Sequence, residues 1–216
     1  MCSHYKPVSY INQLRQTFGL GPIDDLGKPD MWPGYDGLFI RRHPHADVGD
    51  EAVPDREAVV GHWGLIPHWS KDGKVRATFN ARSETVAEKP TFRDAWRKGH
   101  RCIIPAMSVF EPDWRSGKAV PAEVSRADGQ PMGVAGLWSS WRSPTGWVES
   151  YTMLTVNADQ HPLFKLLHKP LDEKRMVVIL NPDSFQTWLA GSEVEVMPLI
   201  RQCPAEILKA TGLGFV

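Results

Sequence analysis

The 216-residue sequence predicts an α+β fold, mainly antiparallel, with a barrel-like curved sheet and short peripheral helices. Two observations carry that expectation. Apolar runs of strand length recur along the chain, and turn signals at 115–118, 127–130 and 143–146 separate them at hairpin spacing. Long helical patterns do not alternate with the strands, which argues against a parallel α/β sheet. Eighteen prolines and eighteen glycines fit many turns and short elements, and a hydrophobic content of 42% suffices for a sizeable core. The length fits one domain, residues 1–216.

Each element has a local reason. Val8, Ile11, Leu14 and Phe18 fall at helical spacing within residues 8–18. Residues 19–36 are rich in Gly, Pro and Asp and read as loop. Residues 37–42 and 57–63 read as strands, and 64–79 contain a Lys71-Asp72-Gly73 turn. Thr91 suits the N-cap of a short helix that runs to Lys98 and stops at Gly99. Strands are expected at 101–104, 107–111, 119–125, 131–138 and 147–156, then a short helix at 162–168. Residues 176–180 read as one continuous apolar strand, Asn181-Pro182 opens the next helix, and 204–211 form a last short one.

Composition excludes several functions. Lys plus Arg equal Asp plus Glu at 25 each, so global charge draws the chain to neither nucleic acid nor membrane. A polyanion site would have to be a local basic groove. Three scattered cysteines, Cys2, Cys102 and Cys203, make no disulfide framework. His43-Pro44-His45 lacks clustered Cys or Asp partners, so neither a metal nor another cofactor is expected. No apolar run approaches the roughly 20 residues of a membrane span, and no apolar signal region follows Lys6-Pro7. The expectation is a cytoplasmic, reduced monomer without membrane contact. Nine tryptophans are many; most belong in a core, but some could stack on flat ligands such as bases.

Chemistry concentrates at the chain start. Cys2 follows the initiator methionine, and a small second residue permits removal of Met1. Cys2 would then carry an α-amine and a thiol on adjacent carbons. The amine can condense with an aldehyde, and the thiol can close the imine to a thiazolidine. Unperturbed pKa values of about 7.7–8.0 for the amine and about 8.5 for the thiol leave both accessible near neutrality. Asn80 could hold a mobile N-terminus, and Arg82 offers a planar fork for phosphate. Glu111 ends an apolar strand beside Phe110 and Trp114, where desolvation would suit it to proton transfer. His168 lies just before a buried strand. On the residues alone, an exposed strand-end glutamate and a structural histidine are the plain alternatives.

Together these segments resemble the SOS response-associated peptidase (SRAP) family. The resemblance runs from residue 2 to about 180 through Met-Cys, Trp63-Gly64-Leu65-Ile66-Pro67, Trp69, Asn80-Ala81-Arg82-Ser83-Glu84-Thr85, Arg101-Cys102-Ile103-Ile104-Pro105, Phe110-Glu111, Ala135-Gly136-Leu137-Trp138, Thr155, His168 and Arg175-Met176. It implies a sensor that crosslinks to abasic sites in single-stranded DNA through an N-terminal cysteine thiazolidine, bound at the nucleoid when on DNA. Cys2 would be the nucleophile, Asn80 would hold its backbone, Glu111 would act as general acid/base in opening the sugar ring, and His168 would assist proton transfer and crosslink reversal. Arg82, Trp69, Thr155, Pro33, His4 and Arg175 would lie on the DNA side. Three departures stand out. His4 replaces the usual arginine, Pro112 replaces the usual tryptophan, and residues 169–174 are inserted between His168 and Arg175. A cysteine-dependent peptidase using Cys2 and His168, and a non-enzymatic DNA binder, remain open alternatives.

Overall fold

The computed structural model describes residues 2–23, 26–47 and 53–212. The chain enters as β1 (Tyr5–Pro7) and α1 (Ile11–Phe18), followed by β2 (Asp36–Arg42), β3 (Arg56–Trp63) and β4 (Asn80–Arg82). A short α2 (Arg93–Arg97) precedes the long strands β5 (Arg101–Asp113), β6 (Val120–Arg126), β7 (Met132–Ser143) and β8 (Gly146–Asn157). Two short strands follow, β9 (Arg175–Val177) and β10 (Ile179–Leu180), then α3 (Phe185–Ala190), α4 (Glu193–Val196) and β11 (Leu208–Thr211).

Five of these strands close a ring in the order β2–β3–β8–β7–β5, with β5 returning to β2. The β3–β8 contact is parallel and the other ring contacts are antiparallel. The curved sheet expected from the hairpin signals therefore closes on itself, which removes the edges an open sheet would expose. Short strands decorate the ring. β1 and β6 lie on β5, β11 on β6, β4 and β9 on β8, and β10 on β7.

Local differences from the sequence expectation have physical causes. Residues 101–111 form one strand rather than two, because Pro105 sits where β5 changes partners from β7 to β6. A missing N–H costs least at such a position. The apolar run at 176–180 splits because Val178 bridges two strands, donating to Leu154 O at 2.9 Å and accepting from Ala135 N at 2.8 Å. Residues 162–168 hold only a 3-10 turn at Phe164–Leu166, stapled by buried His161, whose Nδ1 accepts from Leu163 N and Phe164 N. Residues 204–211 are not a helix: after a 3-10 turn they become β11, paired with the free edge of β6. The helix after Thr91 begins at Arg93, with Phe92 at its N-cap and no side-chain cap. Gly19 (φ 64°) closes α1, and Asn181 caps the turn before α3, accepting from Asp183 N.

One half-buried titratable group couples this fold to pH. His100 stacks on Trp138 with ring centroids 4.2 Å apart. Burial, aided by Lys98 and Arg41, pushes its pKa down to about 4 from 6.5. Below the folded pKa both folded and unfolded states carry the proton; between about 4 and 6.5 the unfolded state binds it more readily. The neutral ring's contribution is therefore present above about 6.5 and is lost as pH falls toward 4. Urea melts between pH 7 and pH 4 are expected to fall less steeply for His100→Gln than for the natural protein; parallel curves would refute this.

Candidate active site

The site forms where the chain start meets β4, β5 and the segment after the 3-10 turn. Cys2 is fully buried. Its Sγ lies 3.3 Å from His4 O, to which it donates, and its carbonyl accepts from Asn80 Nδ2 at 2.6 Å. Asn80 is placed by β4, which runs parallel to β8 with Asn80 opposite Met153. The expected backbone anchor thus reaches the expected nucleophile. The Asn80 Oδ1 is buried without a hydrogen bond among the described residues.

Glu111 and His168 come together from distant parts of the sequence. Glu111 is buried on β5, two residues before the strand ends at Asp113. His168 Nε2 lies 2.8 Å from Glu111 Oε2, with the side chains only 7% and 1% exposed. An isolated bridge between Asp113 and Leu167 and a 2.6 Å bond from His168 N to Pro112 O dock the histidine on the end of β5. His168 adopts φ 66°, a left-handed conformation costly for a residue with a Cβ. That the surrounding bonds hold it there marks a fixed ring orientation. Glu111 is therefore not an exposed strand-end glutamate.

Electrostatics set the state of the thiol. Burial, and then the nearby Glu111 carboxylate, push the Cys2 thiol well above the ordinary cysteine range. The sulfur is therefore protonated near neutrality and needs a proton acceptor when it reacts.

The residues expected on the DNA side divide into two groups. Arg82 is half exposed, yet its Nη1 lies 2.7 Å from Glu173 Oε2, within the inserted segment 169–174. Trp69 is 53% exposed in the loop between β3 and β4. Pro33 is half-buried, and His4 is held against the body of the protein with Nε2 2.8 Å from Asp30 Oδ1. Thr155 and Arg175 are instead buried and bound to each other. Arg175 Nη2 donates to Thr155 O at 2.7 Å and to Thr155 Oγ1 at 3.1 Å. The same guanidinium donates to Glu84 at 2.8 and 3.0 Å and to Glu173 at 2.7 Å. Its direct contact with a phosphate is blocked in this conformation. Desolvation works to lower the Arg175 pKa, but Glu84 and Glu173 outweigh it and hold it above the ordinary arginine range.

Sequence reasoning missed the contacts of Asp30 and Trp32 with His4 and those of Glu84 and Glu173 with Arg175. The Trp32-Pro33-Gly34-Tyr35 run did carry a turn signal. Nothing in the pattern ties Glu84 to Arg175, 91 positions apart.

The family model described as SOS response associated peptidase (SRAP) matches residues 1–213. This chain belongs to the SRAP family. It is 36% identical over 129 residues to the abasic site processing protein YoqW of Bacillus subtilis, covering 59% of this chain and 54% of that one. It is 30% identical over 197 residues to the abasic site processing protein HMCES of Gallus gallus, covering 78% and 55%. The chain thus spans about half the length of these curated relatives. A crystal structure of a protein from Bordetella bronchiseptica matches with TM-score 0.89 at 44% identity, covering 99% of this SRAP chain and 100% of that one. A protein from Bacteroides thetaiotaomicron, at 23% identity and TM-score 0.80, shares the fold, with coverage of 97% and 90%.

The Arg175 cluster has a measurable structural weight. Arg175→Met removes a buried cation with five polar contacts and leaves the Thr155 carbonyl without this donor. Because the Glu84 side chain is 48% exposed, the cost lies below that of breaking a fully buried pair, at about 2–3 kcal/mol. Chemical denaturation is the check, and a loss under about 0.5 kcal/mol, typical of an ordinary surface substitution, would contradict the cluster's role.

Proposed function

We propose that this protein processes abasic sites by covalent capture: after loss of Met1, Cys2 forms a thiazolidine with the ring-opened sugar of an abasic site in single-stranded DNA. The observation that carries this reading is the convergence of the Asn80-anchored Cys2 with the Glu111–His168 pair. The kinship with proteins named for abasic site processing supports it. The protein would act as a monomer, cytoplasmic and at the nucleoid when bound to DNA.

The chemistry follows from the protonation states. The abasic sugar is a hemiacetal and must open to an aldehyde before an amine can attack. Glu111 and His168, 2.8 Å apart, can take the proton from the hydroxyl and return one to the ring oxygen. The Cys2 α-amine then adds to the aldehyde carbon, and loss of water gives the imine. Burial keeps the thiol protonated, so the amine attacks first. In the closing step the C–S bond forms, the imine π pair moves to nitrogen, and the thiol proton passes through a neighbouring base to that nitrogen. Glu111 is suited to receive it, since its charge already bears on the sulfur. The sum is aldehyde plus aminothiol to thiazolidine plus water, with no oxidation. Asn80 would keep the amine in place, and its unbonded Oδ1 is an acceptor for an N-terminal ammonium.

The decisive assay is a denaturing gel with single-stranded DNA carrying one abasic site. A stable adduct is expected with the natural protein, none with intact DNA, and at least about a hundredfold less with Cys2→Ala. Borohydride is expected to restore an adduct to Cys2→Ala, because the amine remains. A stable adduct in Cys2→Ala without reductant, or none in the natural protein after mass spectrometry confirms loss of Met1, would sink the reading.

Glu173 supplies a second test. Its carboxylate occupies the Arg82 guanidinium that would meet phosphate. An exposed ion pair contributes roughly 0.2–1 kcal/mol, so Glu173→Gln is expected to bind single-stranded DNA up to about fivefold more tightly. Fluorescence anisotropy on a strand with a non-reactive abasic analogue reads this; unchanged or weaker binding would contradict it.

A further inference from the structure

Residues 31–33 run antiparallel to the chain start. Tyr5 N donates to Met31 O at 3.1 Å and Met31 N to Tyr5 O at 2.9 Å. β1 pairs in turn with β5, Tyr5 opposite Val109. Trp32, His4 and Phe110 therefore stand abreast, one residue along, on neighbouring strands. Tyr5, Met31 and Val109 turn inward and are buried, while the three rings form a stack on the other face. His4 is its middle layer, 4.1 Å from Trp32 at 5° and 4.0 Å from Phe110 at 13° between ring centroids. The contact from His4 Nε2 to Asp30 Oδ1, at 2.8 Å, fixes the rotation of the middle ring.

Trp32 is the outer layer, and it is 46% exposed. Its backbone is fixed by a tight turn: Tyr35 N donates to Trp32 O at 3.0 Å, with Pro33 and Gly34 (φ 90°) at the centre. That residue order suits a type II turn, whose third position favours glycine. An indole stacked on one ring, with no second ring contact among the described residues, locked in its backbone and 46% exposed, is a ready platform for a further ring. Trp69 is as exposed, but among the described residues no ring stacks behind it. The platform also adjoins the reacting group, because the His4 carbonyl accepts from Cys2 Sγ at 3.3 Å.

We propose that Trp32 is a positioning residue whose open face stacks the nucleobase adjacent to the abasic residue, holding the strand while the sugar enters the site. This rests on the DNA reading above and adds the group that seats the flanking base. Every base has a π face, so the seat accepts any neighbouring base but not a neighbouring position that lacks one. Its rigidity lowers the ordering cost of binding.

The test uses a single strand with a non-reactive tetrahydrofuran abasic analogue flanked by fluorescent 2-aminopurine, so that binding is read without crosslinking. The natural protein is expected to quench the 2-aminopurine. It is also expected to bind this strand about tenfold more tightly than one whose flanking positions also lack bases, the size of one base–aromatic stack. Trp32→Leu, which keeps apolar cover over His4, is expected to lose both quenching and preference, and Trp32→Phe to recover most of the preference. An unquenched flanking base, or a preference undiminished in Trp32→Leu, overturns the assignment. Crosslinking of a natural abasic strand is scored on a separate gel. Its absence would remove the Cys2 chemistry while leaving the Trp32 result to stand or fall on its own.

Discussion

The site depends on burial of the first residues of the chain. Termini ordinarily fray, because few contacts repay the entropy of ordering them. Here Tyr5 drives its ring into the core beside Trp63 and bonds the Tyr151 hydroxyl at 2.7 Å. Burying a side chain of this size stabilises by roughly 1.5–3 kcal/mol. β1 adds its backbone pairing with β5, and Asn80 holds the carbonyl of Cys2. Cys2, three residues from this anchor, inherits its order. Without Tyr5 in the core, neither the thiol environment nor the His4 stack would have a fixed position.

The ring of strands explains why the other groups meet there. β5 runs through both the closed ring and the strand that seats β1, so Glu111 is carried on an element with partners on both sides. β8 seats β4 on the same sheet, which brings Asn80 to the chain start. His168 follows by a loop, and loops move; its backbone bonds to Pro112 and Asp113's bridge to Leu167 make this one an extension of β5. The left-handed φ of His168 is the local cost of that placement.

Charge in this protein is arranged locally. A net formal charge of zero conceals Arg82 and Arg175 gathered with Glu84 and Glu173 in one cluster. Arg175 is consumed by structure, while Arg82 remains half exposed and tied by one carboxylate.

Much was legible in the residues themselves. Turn signals and short apolar runs determined the hairpins, because Gly, Pro and Asp choose local backbone geometry without help from distant parts of the chain. Cys2 drew attention by its place after Met1, but only the motifs downstream gave it possible partners. The ordered motifs brought Asn80, Glu111 and His168 into view as partners. Tertiary structure decided what local pattern cannot carry. It made residues 208–211 a strand by offering them the edge of β6, and it buried Thr155 and Arg175 by supplying Glu84 from 91 positions away. It also turned Trp32, part of an apparent loop, into the outer layer of a three-ring stack. Those outcomes depend on long-range pairing and burial, where a side chain's neighbours are set by the closing of the sheet and not by its place in the sequence.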